Sequence, residues 1–196
     1  MRIRFLAAVA AISVLTLSAL VASDDQAAPA QGAGERAFLS RIRRLTVDGK
    51  RAGEGYWSPD GKRLVFQSER EPGNPFYQIY TLDLTTGETK RISPGYGKTT
   101  CGFFRPGTSE LEFASTHLDP KSKQYQQDEL DFRASGKERR YSWDYDPEMD
   151  IFSINEKTGA MKRLTTAKGY DAESAYSPDG QWIIFTSMRE IGRAHV

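Results

Sequence analysis

The sequence predicts an all-β protein built from a repeated four-stranded unit, and three observations carry that expectation. Gly55-Tyr56-Trp57-Ser58-Pro59-Asp60-Gly61, followed by Leu64-Val65-Phe66, returns as Ser174-Ala175-Tyr176-Ser177-Pro178-Asp179-Gly180, followed by Ile183-Ile184-Phe185. A second pair of segments, Gln78 to Leu84 and Glu88 to Ser93 joined at Thr85-Thr86-Gly87, recurs as Asp150 to Asn155 and Ala160 to Thr165 joined at Lys157-Thr158-Gly159. The Arg-Leu/Ile-Thr/Ser triplets at Arg44, Arg91 and Arg163 are separated by 47 and then 72 residues. Four-stranded units near the shorter spacing signal a β-propeller, here incomplete, with about two and a half blades present.

Each element has a local cause. In Ser-Pro-Asp-Gly, proline fixes φ, aspartate bonds the local backbone and glycine supplies positive φ, so the motif joins an aromatic-tipped first strand to a β-branched second strand. Gln78 to Leu84 alternates large apolar with other residues, as a third strand does, and Thr-Gly turns it into a fourth. Gly102-Phe103-Phe104-Arg105-Pro106-Gly107 is a weaker start of the middle unit, which carries an insertion at about 118–143. Arg41 to Thr46 matches the fourth strands and is expected to be an outer strand closing another blade. Trp57, Phe104 and Tyr176 are expected to pack between neighbouring blades.

Residues 1–23 have the basic start, apolar run and small-residue end of a cleaved signal peptide. Residues 24–40 form a linker poor in large apolar side chains, with a short helical turn at 35–40. Residues 41–189 are the partial propeller, and 190–196 read as a non-native tail. The formal charge of +1 becomes −1 once Arg2 and Arg4 leave, which predicts no bulk attraction to nucleic acid, and no stable membrane span remains after leader removal. The single cysteine, Cys101, permits no internal disulfide and is expected to be a small buried hydrophobe.

The aromatic-Ser-Pro-Asp-Gly motif, with Phe66-Gln67-Ser68-Glu69-Arg70 or Phe185-Thr186-Ser187-Met188-Arg189 and then Ile79-Tyr80-x-x-Asp83, resembles the blade repeat of TolB-type β-propellers. The resemblance covers roughly Arg41 to Arg189. It implies a periplasmic or secreted scaffold that contacts envelope proteins, as in the Tol-Pal system. Such propellers also front secreted peptidases and other hydrolases, so an enzyme whose catalytic domain lies beyond Arg189 is the alternative.

In a four-stranded meander, the connections after the second and fourth strands leave the same side. Those connections are the long ones here, and function on rigid β scaffolds concentrates in such loops. The expected partner is an envelope protein or peptide, bound through Phe76, Tyr96, Tyr125, Arg139, Arg140, Tyr141, Trp143 and Tyr145, since exposed aromatics and arginines anchor protein contacts. The inserted segment reads equally as a solvated loop packing Phe132 and Trp143 on its own blade.

No catalytic residue, cofactor site or metal site is assigned. Gly97-Lys98-Thr99 lacks the preceding glycine of a phosphate loop, with Ile92 in its place and no helix following. Asp144, Asp146, Glu148 and Asp150 fail the helix-loop-helix calcium pattern and are expected to form a solvated acidic edge. His117, expected at a strand end, has no identifiable nucleophile to serve.

Overall fold

The computed structural model describes residue 34, residues 38–140 and residues 145–189. The leader, most of the linker and its helical turn, and the tail at 190–196 therefore lie outside the described residues. The chain divides into two units, Met1–Arg44 and Leu45–Val196. Within the first, the described residues 38–44 are exposed and belong to no strand. The outer strand expected at Arg41 to Thr46 is thus not formed. Arg41 takes a positive φ of 54°, which breaks extended geometry at the start of the segment.

The second unit contains three antiparallel sheets. The first orders β1 (Arg51–Trp57), β2 (Arg63–Glu69), β3 (Gln78–Asp83) and β4 (Thr89–Arg91) as a meander. The second repeats it with β5 (Thr99–Phe104), β6 (Glu110–Ser115), β7 (Asp150–Asn155) and β8 (Met161–Arg163). The third pairs β9 (Asp171–Tyr176) with β10 (Ile183–Ser187).

The turns form as their residues dictate. Ser58 Oγ donates to Asp60 Oδ1 at 2.6 Å and accepts from the Arg63 amide, while Gly61 takes φ 67°. Ser177, Asp179 and Gly180 reproduce this arrangement between β9 and β10. At the other hairpins, Asp83 Oδ1 accepts from the amides of Thr85 and Thr86, and Asn155 Oδ1 accepts from those of Lys157 and Thr158.

The core lies between the first two sheets, where Val65, Ile79 and Ile92 meet Phe104, Leu111, Phe113, Phe152 and Ile154. Burying each of the larger side chains contributes about 1.5–3 kcal/mol. Gly102 permits the close approach: a Cβ there would lie 2.8 Å from Val65 Cγ2 and 2.9 Å from Ile79 Cγ2. A polar clamp closes the same joint, with Arg63 Nη1 donating to Glu156 at 2.7 Å while its guanidinium covers the Phe104 ring. A smaller cluster of Ala114, Met149, Tyr170 and Ala172 joins the second sheet to the third.

The three repeated aromatics fare differently. Phe104 is buried against the first sheet, and Tyr176 lies half-buried beneath the Arg105 guanidinium of the second. Trp57 is 59% exposed, because among the described residues no sheet precedes the first to cover it. Trp57 is therefore not part of the core of this chain.

The inserted segment is not the loop expected. Ser122–Ala134 forms a helix, α1, of which only Ser122 is buried. Gln124 donates to Asp128, Gln127 to Asp131 and Arg133 to Glu129, each one turn along, so polar pairs along its surface support the helix. No helix among the described residues is long and apolar enough to cross a membrane.

Candidate functional site: a groove beside the inserted helix

Two polar anchors hold α1 over the loop between β2 and β3. Gln126 Oε1 accepts from the Gly97 amide at 2.7 Å, and its Nε2 donates to the Gly73 carbonyl at 3.3 Å. In the last turn of the helix, Arg133 donates to Glu69 Oε1 at 2.8 Å and to the Pro75 carbonyl at 3.0 Å. Arg51 reaches the same carboxylate and the same carbonyl from β1. Burial alone would raise the Glu69 pKa, but the Arg133 and Arg51 guanidiniums outweigh it and hold it below the usual carboxylate range.

Against this strapped helix lies a groove of about 630 Å³. One wall is Tyr125, Asp128 and Glu129 of α1; Arg139, Arg140, Tyr145, Asp146 and Pro147 come from the chain's return to β7; Phe76 and Lys98 come from the loops before β3 and β5. Lys98 Nζ sits 3.5 Å from Asp146 Oδ2 and 5.3 Å from the Phe76 ring centre. Arg139 donates to Glu129 Oε2 at 2.8 Å and stacks 3.7 Å from the ring centre of Phe132, which is half-buried on its own segment. Among the described residues, Arg140 has no ion-pair partner.

Five of the expected contact residues, Phe76, Tyr125, Arg139, Arg140 and Tyr145, thus line one groove. Tyr96 stands outside it, edge-on to His117 and beneath Lys123. Tyr141 and Trp143 lie outside the described residues. Sequence reasoning missed Lys98, Asp128, Glu129, Asp146 and Pro147. Lys98 and Asp146 stood in motifs weighed only for phosphate and calcium, and nothing in the spacing signalled that they would meet.

The acidic stretch is corrected as well. Asp146 and Asp150 are buried rather than solvated, and Asp144 is not described. Asp146 caps the local turn at the Glu148 amide and faces Lys98, while Asp150 accepts from Thr165 and pairs with Arg163. Among the described residues, no cluster of His, Cys, Asp or Glu could hold a metal ion. His117 is buried behind β6, its ring 4.3 Å from Phe152 and its Nδ1 3.0 Å from Ser115 Oγ. Burial, then the Arg163 charge, lowers its pKa. Cys101 is buried, and burial pushes its thiol up to about 12, where it is inert as a nucleophile near neutrality.

Against known proteins, the chain has the fold of TolB-like β-propellers. It aligns with TolB from Acinetobacter baumannii at a TM-score of 0.50 and 22% identity, over 72% of this chain and 28% of that one. A protein from Agrobacterium tumefaciens solved as a TolB candidate aligns at 0.52 and 19% identity, over 73% of this chain and 40% of that one. By sequence it is 27% identical over 146 residues to the uncharacterized peptidase YuxL of Bacillus subtilis, and 29% identical over 152 residues to the uncharacterized protein Atu1656 of Agrobacterium fabrum. Those matches take in 70% and 68% of this chain but only 22% and 50% of the two relatives. No protein-family model matches.

Proposed function

We propose that this chain is part of an exported β-propeller scaffold that binds an envelope protein or peptide in the groove beside α1, as the resemblance to the Tol-Pal component implies. On this reading the two meanders and the third, two-stranded sheet are consecutive blades of a larger ring, about two and a half of them present. The observation that carries the proposal is the convergence of three aromatic side chains with acidic and basic groups on one open groove. Such a surface suits the aromatic and charged anchors of a peptide segment rather than an extended polyanion.

A photo-crosslinking residue at Tyr125 in the exported chain tests it. Adducts with an envelope protein are expected, and Arg140→Glu should abolish them. Adduct yield no higher than from Thr86, in a hairpin turn on the opposite side, would refute the proposal. Mass spectrometry of the same preparation should place the mature N-terminus near Ser23 or Asp24.

A second reading follows from YuxL, a peptidase by name, whose matched part is a minor share of its length. Here the propeller would front a hydrolase domain and its groove would position substrate. The downstream reading frame separates the two: further blades and a stop support the scaffold, a hydrolase domain supports the enzyme.

A further inference from the structure

The repeats place one residue where its chemistry does not match its counterparts. Counting from the proline of each β-turn, Glu112 occupies the position of Val65 in the first unit and Ile184 in the third. By the same count, Ser174 of β9 is the counterpart of Gly102 of β5. Val65 packs onto Gly102 where the first two sheets meet, so Glu112 and Ser174 are the corresponding pair where the second sheet meets the third. A carboxyl group stands where the fold elsewhere uses an aliphatic side chain.

Glu112 is 0% exposed, and neither of its carboxylate oxygens has a hydrogen-bond partner among the described groups; Ser174 Oγ, also buried, has none either. In register, Glu112 lies between Phe103 of β5 and Ser153 of β7, neither of which carries charge. The titratable groups on the surrounding elements are engaged elsewhere. Cys101 of β5 donates to Glu54, Glu110 of β6 accepts from Arg105, and Asp150 of β7 pairs with Arg163. On β9, Asp171 pairs with Arg189 and Glu173 accepts from Thr186. The Tyr176 hydroxyl of β9 feels the Glu112 charge, and Lys162 of β8 is exposed. Among the described residues no cation is paired with Glu112, and burying an unpaired carboxylate is among the costliest things a fold can do.

We propose that the joint between the second and third sheets is proton-sensitive, closed while Glu112 carries its proton and loosened at β9–β10 when Glu112 ionises. Burial pushes the Glu112 carboxyl up to about 8. The folded pKa therefore lies above the ordinary value of 4.5, which the group regains when the joint opens. The contribution to closure is complete below the ordinary value and is lost as pH rises through the folded one. Over that window one proton leaves on opening, so the opening equilibrium rises about tenfold per pH unit. The first joint, with Val65 in place of Glu112, has no such response.

Hydrogen exchange on the full chain, from about pH 5.5 to about pH 9 and corrected for intrinsic exchange, reads this directly. Protection across 171–187 should fall by about tenfold per pH unit and level off near the folded pKa, while β2 and β3 serve as a pH-independent reference. Glu112→Val, which installs the residue of the first joint, should remove the slope and keep protection at least at the wild-type level seen at low pH. Glu112→Gln, neutral at every pH and nearly the same shape, should also be flat and decides the matter if the valine variant packs poorly. A wild-type profile parallel to that of β2 and β3, or a slope that survives in either variant, overturns the proposal.

Discussion

At the scale of single residues, close approach rather than side-chain size sets the tightest tolerances. Gly102 has no room for a methyl group, since both atoms it would meet belong to β-branched side chains locked in the core. Gly102→Ala should cost about 1–3 kcal/mol in denaturant melts, the range for overpacking a filled core. Trp57→Ala should cost less than about 1 kcal/mol in this chain, because an exposed side chain loses little when truncated. Trp57, Phe104 and Tyr176 hold the same place in their turns, and their sequence context made them look equivalent. What separates them is whether a sheet lies on the near side, and no local pattern encodes that.

At the scale of elements, strands and turns were legible because period-two alternation and Ser-Pro-Asp-Gly chemistry act over a few residues. The long connections after second and fourth strands were placed on one side by topology alone, which is why Phe76 and Tyr125 could be grouped before any geometry was known. Helix α1 was not legible. It has no apolar stripe to announce it, and what holds it down is Gln126 and Arg133 reaching backbone and carboxylate groups far away in sequence. That attachment predicts its sensitivity. The Glu69 pKa is depressed, so its contribution is present above the ordinary carboxylate range and is lost as pH falls through the folded value. Amide exchange in 122–134 should therefore accelerate in acid ahead of β2 and β3, and Glu69→Gln should show the faster exchange already at neutral pH. Equal acid profiles in wild type and variant would remove Glu69 as the anchor.

At the scale of the whole molecule, the described sheets leave apolar surface uncovered: Trp57 and Tyr56 on β1, and Trp182 and Ile184, 74% and 75% exposed, at β10. Large exposed apolar residues of this kind drive association. The chain should sediment as concentration-dependent oligomers, and the double substitution Trp182→Lys with Ile184→Lys should shift it toward monomer; a monodisperse wild type at all concentrations would contradict this. The joints between sheets also bear on how such a chain could arise by duplication. Newly copied units are interchangeable, and a ring of identical copies could be assembled from any permutation. Here Val65 fits a partner with no Cβ, whereas Glu112 meets a hydroxyl-bearing residue. A chimera that exchanged the two units would press a carboxyl against a glycine backbone on one side and leave Ser174 facing valine on the other. In this chain the two joints are therefore not interchangeable, because each pair of sheets meets through its own matched residues.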